Sequence, residues 1–490
     1  MGDRINPVAV KELRQAVQSQ LVIAILMLFL IINLSAVGGY LLLAPNADTS
    51  ADGGQTVFNT LLSFLLLTCI SFVPLYTGVR MTLERSDANI DLLFITTITP
   101  SAIVRGKYVA ALALTLLIFS ICMPFMTLTY LLRGIDLPTI FLVLAGGFLV
   151  CAIANAAGIF VGCISGGWFT RISLAVLTMI GLLWAAGFSI MAAVSVISFG
   201  SGISSFATLE FWAGFGTWVL VDILAIGLFH VYSVAMLSPT SSNRMFMPRI
   251  FIMICWVIVG VLCFAWAWCT SEFEIINIWT FLSCVAFISL TMFIMGERDA
   301  WSLRIRRTIP KNSLFRLLAF LFYTGSGGGL LWCILMFTLT MLIGVSLSSL
   351  IPMKSVSGRF EEQCWNLLQV MGYALCYCMT IAFLRLTIFK NTPTRTLSVL
   401  TTFLAAAAYM LPSLAAFLLN EDWWSVAPWF WIGSPMVLSS NNDDAKYVAT
   451  LFLIGWLILG GIASIPWLIG QWRRFTPFAS TSYPPQEQQP

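Results

Sequence analysis

ERSDANIDLLFITTITPSAIVRGK, residues 84–107, is the stretch on which the reading of this chain turns. A charged lead-in of Glu84, Arg85, Asp87 and Asp91 runs into an apolar patch of Ile90, Leu92, Leu93, Phe94, Ile95 and Ile98. The patch is far too short to cross a bilayer, which takes about 20 residues. Ile90, Leu93, Phe94 and Ile98 fall at the i, i+3, i+4, i+8 spacing of one helical face. Thr99 then suits an N-cap, and Pro100 the first position of a new helix. Arg105, Gly106 and Lys107 carry that helix back to the membrane. The stretch predicts an amphipathic helix on a membrane surface followed by a fresh transmembrane helix.

Composition supports the membrane setting. The 490 residues are 59% hydrophobic and 9% charged, with mean hydropathy +0.93, against about 25% charged in a soluble domain. The expected fold class is an all-α polytopic membrane protein, and no polar stretch is long enough to fold as a separate domain. Twelve spans are predicted, at 21–43, 57–80, 108–131, 140–164, 171–198, 211–237, 250–269, 276–295, 317–349, 364–388, 397–419 and 446–470. The ninth is long enough to be tilted or broken, with a hinge candidate in Gly325-Ser326-Gly327-Gly328-Gly329. Leu21–Leu43 has too long an apolar run, and too long a polar segment before it, for a cleavable signal, so it is read as the first span.

An even number of spans puts both termini on one side. If that side is cytoplasmic, 21 of the 25 Lys and Arg lie inside and only Arg133, Lys354, Arg359 and Lys446 outside. Twelve of the 21 acidic residues then fall in outer loops. This asymmetry agrees with the positive-inside rule. The net charge of +4 is no signal for nucleic acid, and no such partner is expected.

The opening stretch has a fainter echo in ERDAWSLRIRRTIPKNSLFR, residues 297–316. Glu297, Arg298 and Asp299 again come after a span, Thr308 and Pro310 again appear, and Lys311 and Arg316 lead onward. The first copy comes after span 2 and the second after span 8. Asn6-Pro7 opens a segment before span 1 with Val10, Leu13 and Val17 on one helical face beside Lys11 and Arg14, as expected of a surface helix. A polar segment with Pro239, Arg244 and Arg249 precedes span 7. The expected organisation is two parallel six-helix halves, 1–238 and 239–475, and a disordered Pro/Gln-rich tail at 476–490. A plainer reading of each Glu-Arg pair is an anchor at the inner membrane surface.

The Glu-Arg pair, Leu-Leu-rich helix, Thr-Pro and Gly-Lys of residues 84–107 resemble the cytosolic coupling segment of ABC-2-type transporter permeases. The resemblance covers about 100 N-terminal residues, with the fainter copy in the second half. It implies the membrane subunit of an ATP-driven exporter. Its coupling residues are then Glu84, Arg85, Asp91, Pro100, Arg105 and Lys107, with Glu297, Arg298 and Pro310 in the second half. It implies a multi-pass plasma membrane protein, bacterial by the same resemblance, with both termini cytoplasmic. Most members carry one six-helix unit and pair, whereas here both halves sit on one chain.

No phosphate-binding loop accompanies the resemblance. Gly106-Lys107 is succeeded by Tyr108 in place of Ser or Thr, and Ser101 stands where the first glycine belongs. No cofactor is therefore expected on this chain, and ATP and Mg are expected on a separate ABC ATPase subunit, in two copies. By the same token the chain is not expected to be an enzyme. The twelve cysteines show no CxxC spacing and no neighbouring His, so no metal site is expected. Cys269 and Cys364 both fall near the outer face, which leaves a disulfide open.

Polar groups inside spans are costly, by about 2.5–3.5 kcal/mol for an ionisable side chain at a helix centre, and count as functional candidates. Asp222 and His230 share span 6, about 80° apart around the helix and about 12 Å apart along it, too far to bond directly. Asn155 lies one turn before Gly158, Gly162 and Gly166, whose two overlapping GxxxG patterns invite close helix packing. Arg385, near the inner end of span 10, can snorkel to the interface. Arg304, Arg306 and Arg307 suit lipid headgroups. In Asn420–Met436, Trp423, Trp424, Trp429 and Trp431 cluster around Pro428, and the resemblance implies a re-entrant segment there. The corresponding loop of the first half, Phe199 to Trp212, is Gly/Ser-rich instead.

Two rivals remain. A twelve-span ion-coupled secondary transporter would need intramembrane charges, of which Asp222 is the main one. A non-transport membrane assembly protein or enzyme would need clustered outer polar groups.

Overall fold

The computed structural model describes residues 6–43, 51–84, 99–131, 135–164, 168–199, 208–239, 241–350, 357–388, 394–418, 432–439 and 443–477. They form helices and no strand. Eleven of these helices are long and apolar enough to cross a membrane, and the chain is an all-α polytopic membrane protein. Large side chains such as Met27, Leu28, Ile31 and Leu34 stand exposed along them, as they would toward lipid. The chain divides into two compact units, Met1–Pro239 and Thr240–Pro490.

Unit 1 comprises α1 (Pro7–Val17), α2 (Gln20–Leu43), α3 (Ala51–Glu84), α4 (Pro100–Leu131), α5 (Leu137–Gly162), α6 (Trp168–Phe199) and α7 (Leu209–Leu237). Unit 2 comprises α8 (Phe246–Thr270), α9 (Glu274–Ile294), α10 (Leu303–Thr308), α11 (Ser313–Phe322), α12 (Ser326–Leu350), α13 (Ser357–Thr387), α14 (Thr394–Leu418), a short 3-10 helix at Pro435–Ser439 and α15 (Asp443–Arg474). Eleven of the twelve predicted spans fall on one helix each; the ninth, 317–349, is divided between α11 and α12, and the eleventh, 397–419, falls on α14, whose apolar stretch Thr396–Pro412 among the described residues is shorter than the eleven membrane-length helices. The predicted break in the ninth is present: α11 stops at Phe322 and α12 begins at Ser326, with Gly325 at φ +157°, where L side chains rarely fit.

The units share a neighbour scheme. In unit 1, α3 packs against α2, α4, α5 and α6, and α5 packs against α6 and α7. In unit 2, α9 packs against α8, α12, α13 and α14, and α13 packs against α14 and α15. Counted by span within each unit, the second span touches the first, third, fourth and fifth, and the fourth touches the fifth and sixth, in both.

Small residues set the central crossing of unit 1. A Cβ on Gly158 would stand 2.5 Å from the Pro74 carbonyl oxygen, one on Gly162 2.5 Å from that of Gly78, and one on Gly78 2.7 Å from that of Gly158. The glycine pattern thus serves α3–α5 packing within the unit; Gly166 lies outside the described residues. Pro74 frees the backbone near this crossing, where the Thr77 hydroxyl donates to the Val73 and Pro74 carbonyls. Gly158→Ala and Gly162→Ala should each destabilise the protein by about 1–3 kcal/mol through overpacking, measured as thermal unfolding in detergent, whereas Gly181→Ala, which meets nothing within 4 Å, should not.

Candidate functional site

The end of unit 1 at which α3 stops and α4 starts is organised by α1. Asn6 caps α1 by accepting from the Val8 N–H at 3.1 Å, and its amide donates to the Ala102 carbonyl of α4 at 2.5 Å. Gly106 admits the close approach, since a Cβ there would lie 2.8 Å from Val8 Cβ and 3.0 Å from the Ala9 nitrogen. Ala9, Glu12 and Ala16 form the buried stripe of α1, and Val10, Leu13 and Val17 are exposed on its other side. The latter three are the face that the periodicity marked for the membrane surface.

Glu12 enters an ion-pair network with the segment's two anchors. Lys107 Nζ lies 2.8 Å from Glu12 Oε1 and 2.7 Å from Glu84 Oε2, and the lysine side chain is only 2% exposed. Lys11 Nζ reaches Glu84 Oε1 at 3.2 Å. Arg80 Nε stands 3.8 Å from Glu12 Oε2, and the same guanidinium donates to Tyr76 at 2.8 Å and to Gln15. An ammonium taken out of water needs its charge offset and its protons bonded, and two carboxylates do both. Glu84, the last residue of α3, is therefore bonded to Lys107, about two turns into α4.

Thr99 and Pro100 stand where the residue types placed them. Pro100 opens α4, and the Ala102 N–H donates to Thr99 Oγ1 at 3.3 Å. Arg105 is exposed, its Nε donating to the Ser101 carbonyl at 3.3 Å. Arg85, Asp91 and the rest of the predicted amphipathic helix lie outside the described residues. Sequence reasoning missed Glu12 and Arg80. The available signal was Glu12 on the small-residue stripe of Ala9 and Ala16, opposite the apolar face.

Unit 2 has its own buried charge pair at the end of its second span. Glu297 Oε2 accepts from Arg249 at 2.5 Å and from the Gly325 N–H at 2.9 Å. Arg249 also donates to the Leu321 and Tyr323 carbonyls, both at 2.7 Å, which caps the end of α11. Burial pushes the Glu297 carboxyl above its ordinary range, against the pull of Arg249 and the Gly325 N–H. Asp299 Oδ1 accepts from the Ser326 N–H at 3.0 Å and its hydroxyl at 2.6 Å. Gln471 accepts from the Gly327 N–H at 2.9 Å, so α12 begins with its free donors met by side chains from both sides of the break.

Several expectations change here. Arg385, expected to reach toward the interface, pairs with Asp299 at 3.2 Å beyond the end of α9. Glu297 is turned inward and bonded, so it positions the break in the ninth span and does not present its carboxylate outward. Arg298 is exposed and Pro310 half-buried between α10 and α11. Pro310 differs from Pro100 in place, because α11 intervenes before the span proper begins. Cys269 and Cys364 are free thiols.

The intramembrane candidates lie on two neighbouring helices of unit 1, α5 and α7. Asn155 on α5 donates to Thr115 Oγ1 of α4 at 2.9 Å, while its Oδ1 has no partner among the described residues. Asp222 is buried at the middle of α7, further from the helix start than the predicted span placed it, and its Oδ2 is also without a partner there. His230 Nε2 stands 3.5 Å from Ser101 Oγ. Among the described residues Asn155 bonds to Thr115 and His230 approaches Ser101, so their polar partners lie on α4. Among the described residues no group of His, Cys, Asp and Glu could hold a metal ion.

At the other end of unit 2, the Trp-rich residues 420–431 lie outside the described residues, but the chain from Ile432 onward is placed. The Tyr373 hydroxyl donates to the Ile432 carbonyl at 2.9 Å and that of Tyr377 to the Gly433 carbonyl at 2.7 Å. Tyr373 lies about 24 Å along α13 from Ser357. The chain before the last span therefore dips into the bundle, with Ser434 and Val437 buried.

Lys107→Ala leaves Glu12 and Glu84 facing each other without their shared cation, at about 3–5 kcal/mol; hydrogen exchange across residues 7–17 should rise sharply. Arg249→Ala should cost a similar amount in thermal unfolding, and Glu297→Gln much less, because the guanidinium keeps two carbonyl partners. Comparison with protein-family models, curated proteins and solved structures finds no match for this chain.

Proposed function

We propose that this chain is the permease subunit of an ATP-driven transporter of the ABC-2 type, working in export and coupled to a separate ATPase through the segment between Glu84 and Thr99. The observation that carries the reading is the Glu84–Lys107–Glu12 network. Both ends of the segment are fastened to one corner shared by α1, α3 and α4. A push delivered there moves three helices together, as expected of a lever working on packed elements that shift between discrete arrangements. Lys107, at 2% exposure, is a positioning residue in this scheme, and Glu84, at 34%, can also meet a partner. The inward-dipping chain at Ile432–Gly433 adds support, since such a segment lines or closes a pathway.

ATP and Mg belong to the partner in this reading. Arg105 and Arg298, both exposed, are contact candidates in the two units. The two units, with their shared neighbour scheme, would each receive one ATPase copy.

A second reading, an ion-coupled carrier, is favoured by one observation: Asp222, buried in α7 with an unpartnered oxygen. The two readings separate cleanly in reconstituted membranes with the co-purified ATPase. Glu84→Ala should lower permease-stimulated ATP hydrolysis about tenfold or more, equivalent to about 1.4 kcal/mol of coupling, while Asp222→Asn leaves it unchanged. Full stimulation in Glu84→Ala, or proton uptake that vanishes in Asp222→Asn, would favour the carrier instead.

A further inference from the structure

The end of unit 2 that carries α10, α11 and the end of α15 divides its charges by sign. Its two acidic side chains among the described residues, Glu297 and Asp299, are used internally by Arg249 and Arg385. Its outward surface carries Arg298, Arg304, Arg307, Lys311, Arg473 and Arg474, all exposed. Beside them α11 shows an uncovered apolar face: Leu314 is 65% exposed, Phe315 58%, Leu317 52% and Leu318 48%.

The opposite face of α11 is already occupied. Phe475 is fully buried among Trp301, Phe320 and Tyr323, with ring centroids 5.2–5.5 Å apart. Arg316 stacks over Trp472 at 4.6 Å and donates to its carbonyl. The last turn of α15 thus holds α11 down from one side and fixes which face points away. Only three residues separate α11 from the membrane-crossing α12, and a Cβ on Gly328 would run into the Phe320 carbonyl oxygen, so α11 is folded tightly against the start of that span. A helix held at the mouth of a span, apolar outward and flanked only by cations, matches a bilayer surface bearing negative headgroups.

We propose that α11 lies in the membrane interface and that Arg304, Arg307 and Lys311 bind the headgroups of anionic phospholipids there. The bilayer is the occupant because the apolar face continues into a transmembrane helix, and the anionic class is indicated by the absence of any outward acidic side chain among the described residues of this end. The proposal stands apart from the transport reading: a carrier of any kind could use it.

The test is hydrogen exchange of residues 303–322 in the full chain, in nanodiscs of phosphatidylcholine with and without phosphatidylglycerol. Exchange should slow severalfold when phosphatidylglycerol is present, and raised salt should reverse the effect in the unaltered protein, so that the test does not depend on a variant folding. In detergent, the triple variant R304Q/R307Q/K311Q should bind phosphatidylglycerol roughly a hundredfold more weakly, about fivefold per basic side chain. Glycerol phosphate should not compete. Equal exchange in the two lipids, an unaltered affinity in the triple variant, or effective competition by glycerol phosphate would each overturn the assignment.

Discussion

A charge carried into an apolar bundle must be met inside the bundle, and the ends of both units are built around that requirement. Lys107 is almost wholly removed from solvent, and it is tolerable there because Glu12 and Glu84 each lie within 2.8 Å of its ammonium. The surrounding packing is set by this contact. Glu12 can reach only if α1 lies flat on α4, which requires Gly106 to have no side chain and Ala9 and Ala16 to be small. Once α1 is seated that way, Val10, Leu13 and Val17 have to face outward.

Unit 2 meets the same requirement with different parts. The carboxylate after its second span is kept, as Glu297, but the cation comes from Arg249 at the start of the first span and not from the third. An arginine has more donors than a lysine, and Arg249 directs them to the carbonyls that end α11. That is why the second unit can break its third span where the first begins one cleanly at Pro100. The first unit holds a surface helix before its first span; the second holds one before its third.

These arrangements bear on function through stiffness. A segment whose first residue, Glu84, is bonded to the helix into which the segment returns transmits displacement better than one hung from two independent helices. The second unit's equivalent region is fastened still more heavily, by Asp299, Arg385, Ser326, Gln471 and the Phe475 ring cluster. In the proposed transporter the two units would therefore respond unequally to the motor, with unit 1 the more readily displaced corner.

The sequence by itself determined the membrane class, the approximate positions of the eleven long apolar helices, the cap at Thr99–Pro100 and the break near Gly325, because each depends on hydropathy, proline or glycine chemistry within a short window. It also marked Glu84, Lys107 and Glu297 as residues of interest. Only the tertiary structure decided what they bond to. Glu12 lies 95 residues from Lys107 and Arg249 lies 48 from Glu297, and helical periodicity carries no information across such distances. Arg385 shows the same limit: alone on its helix it reads as a snorkelling side chain, and only the fold places Asp299 within its reach. Burial fixes the partner of a charge, and burial is a property of how the helices assemble.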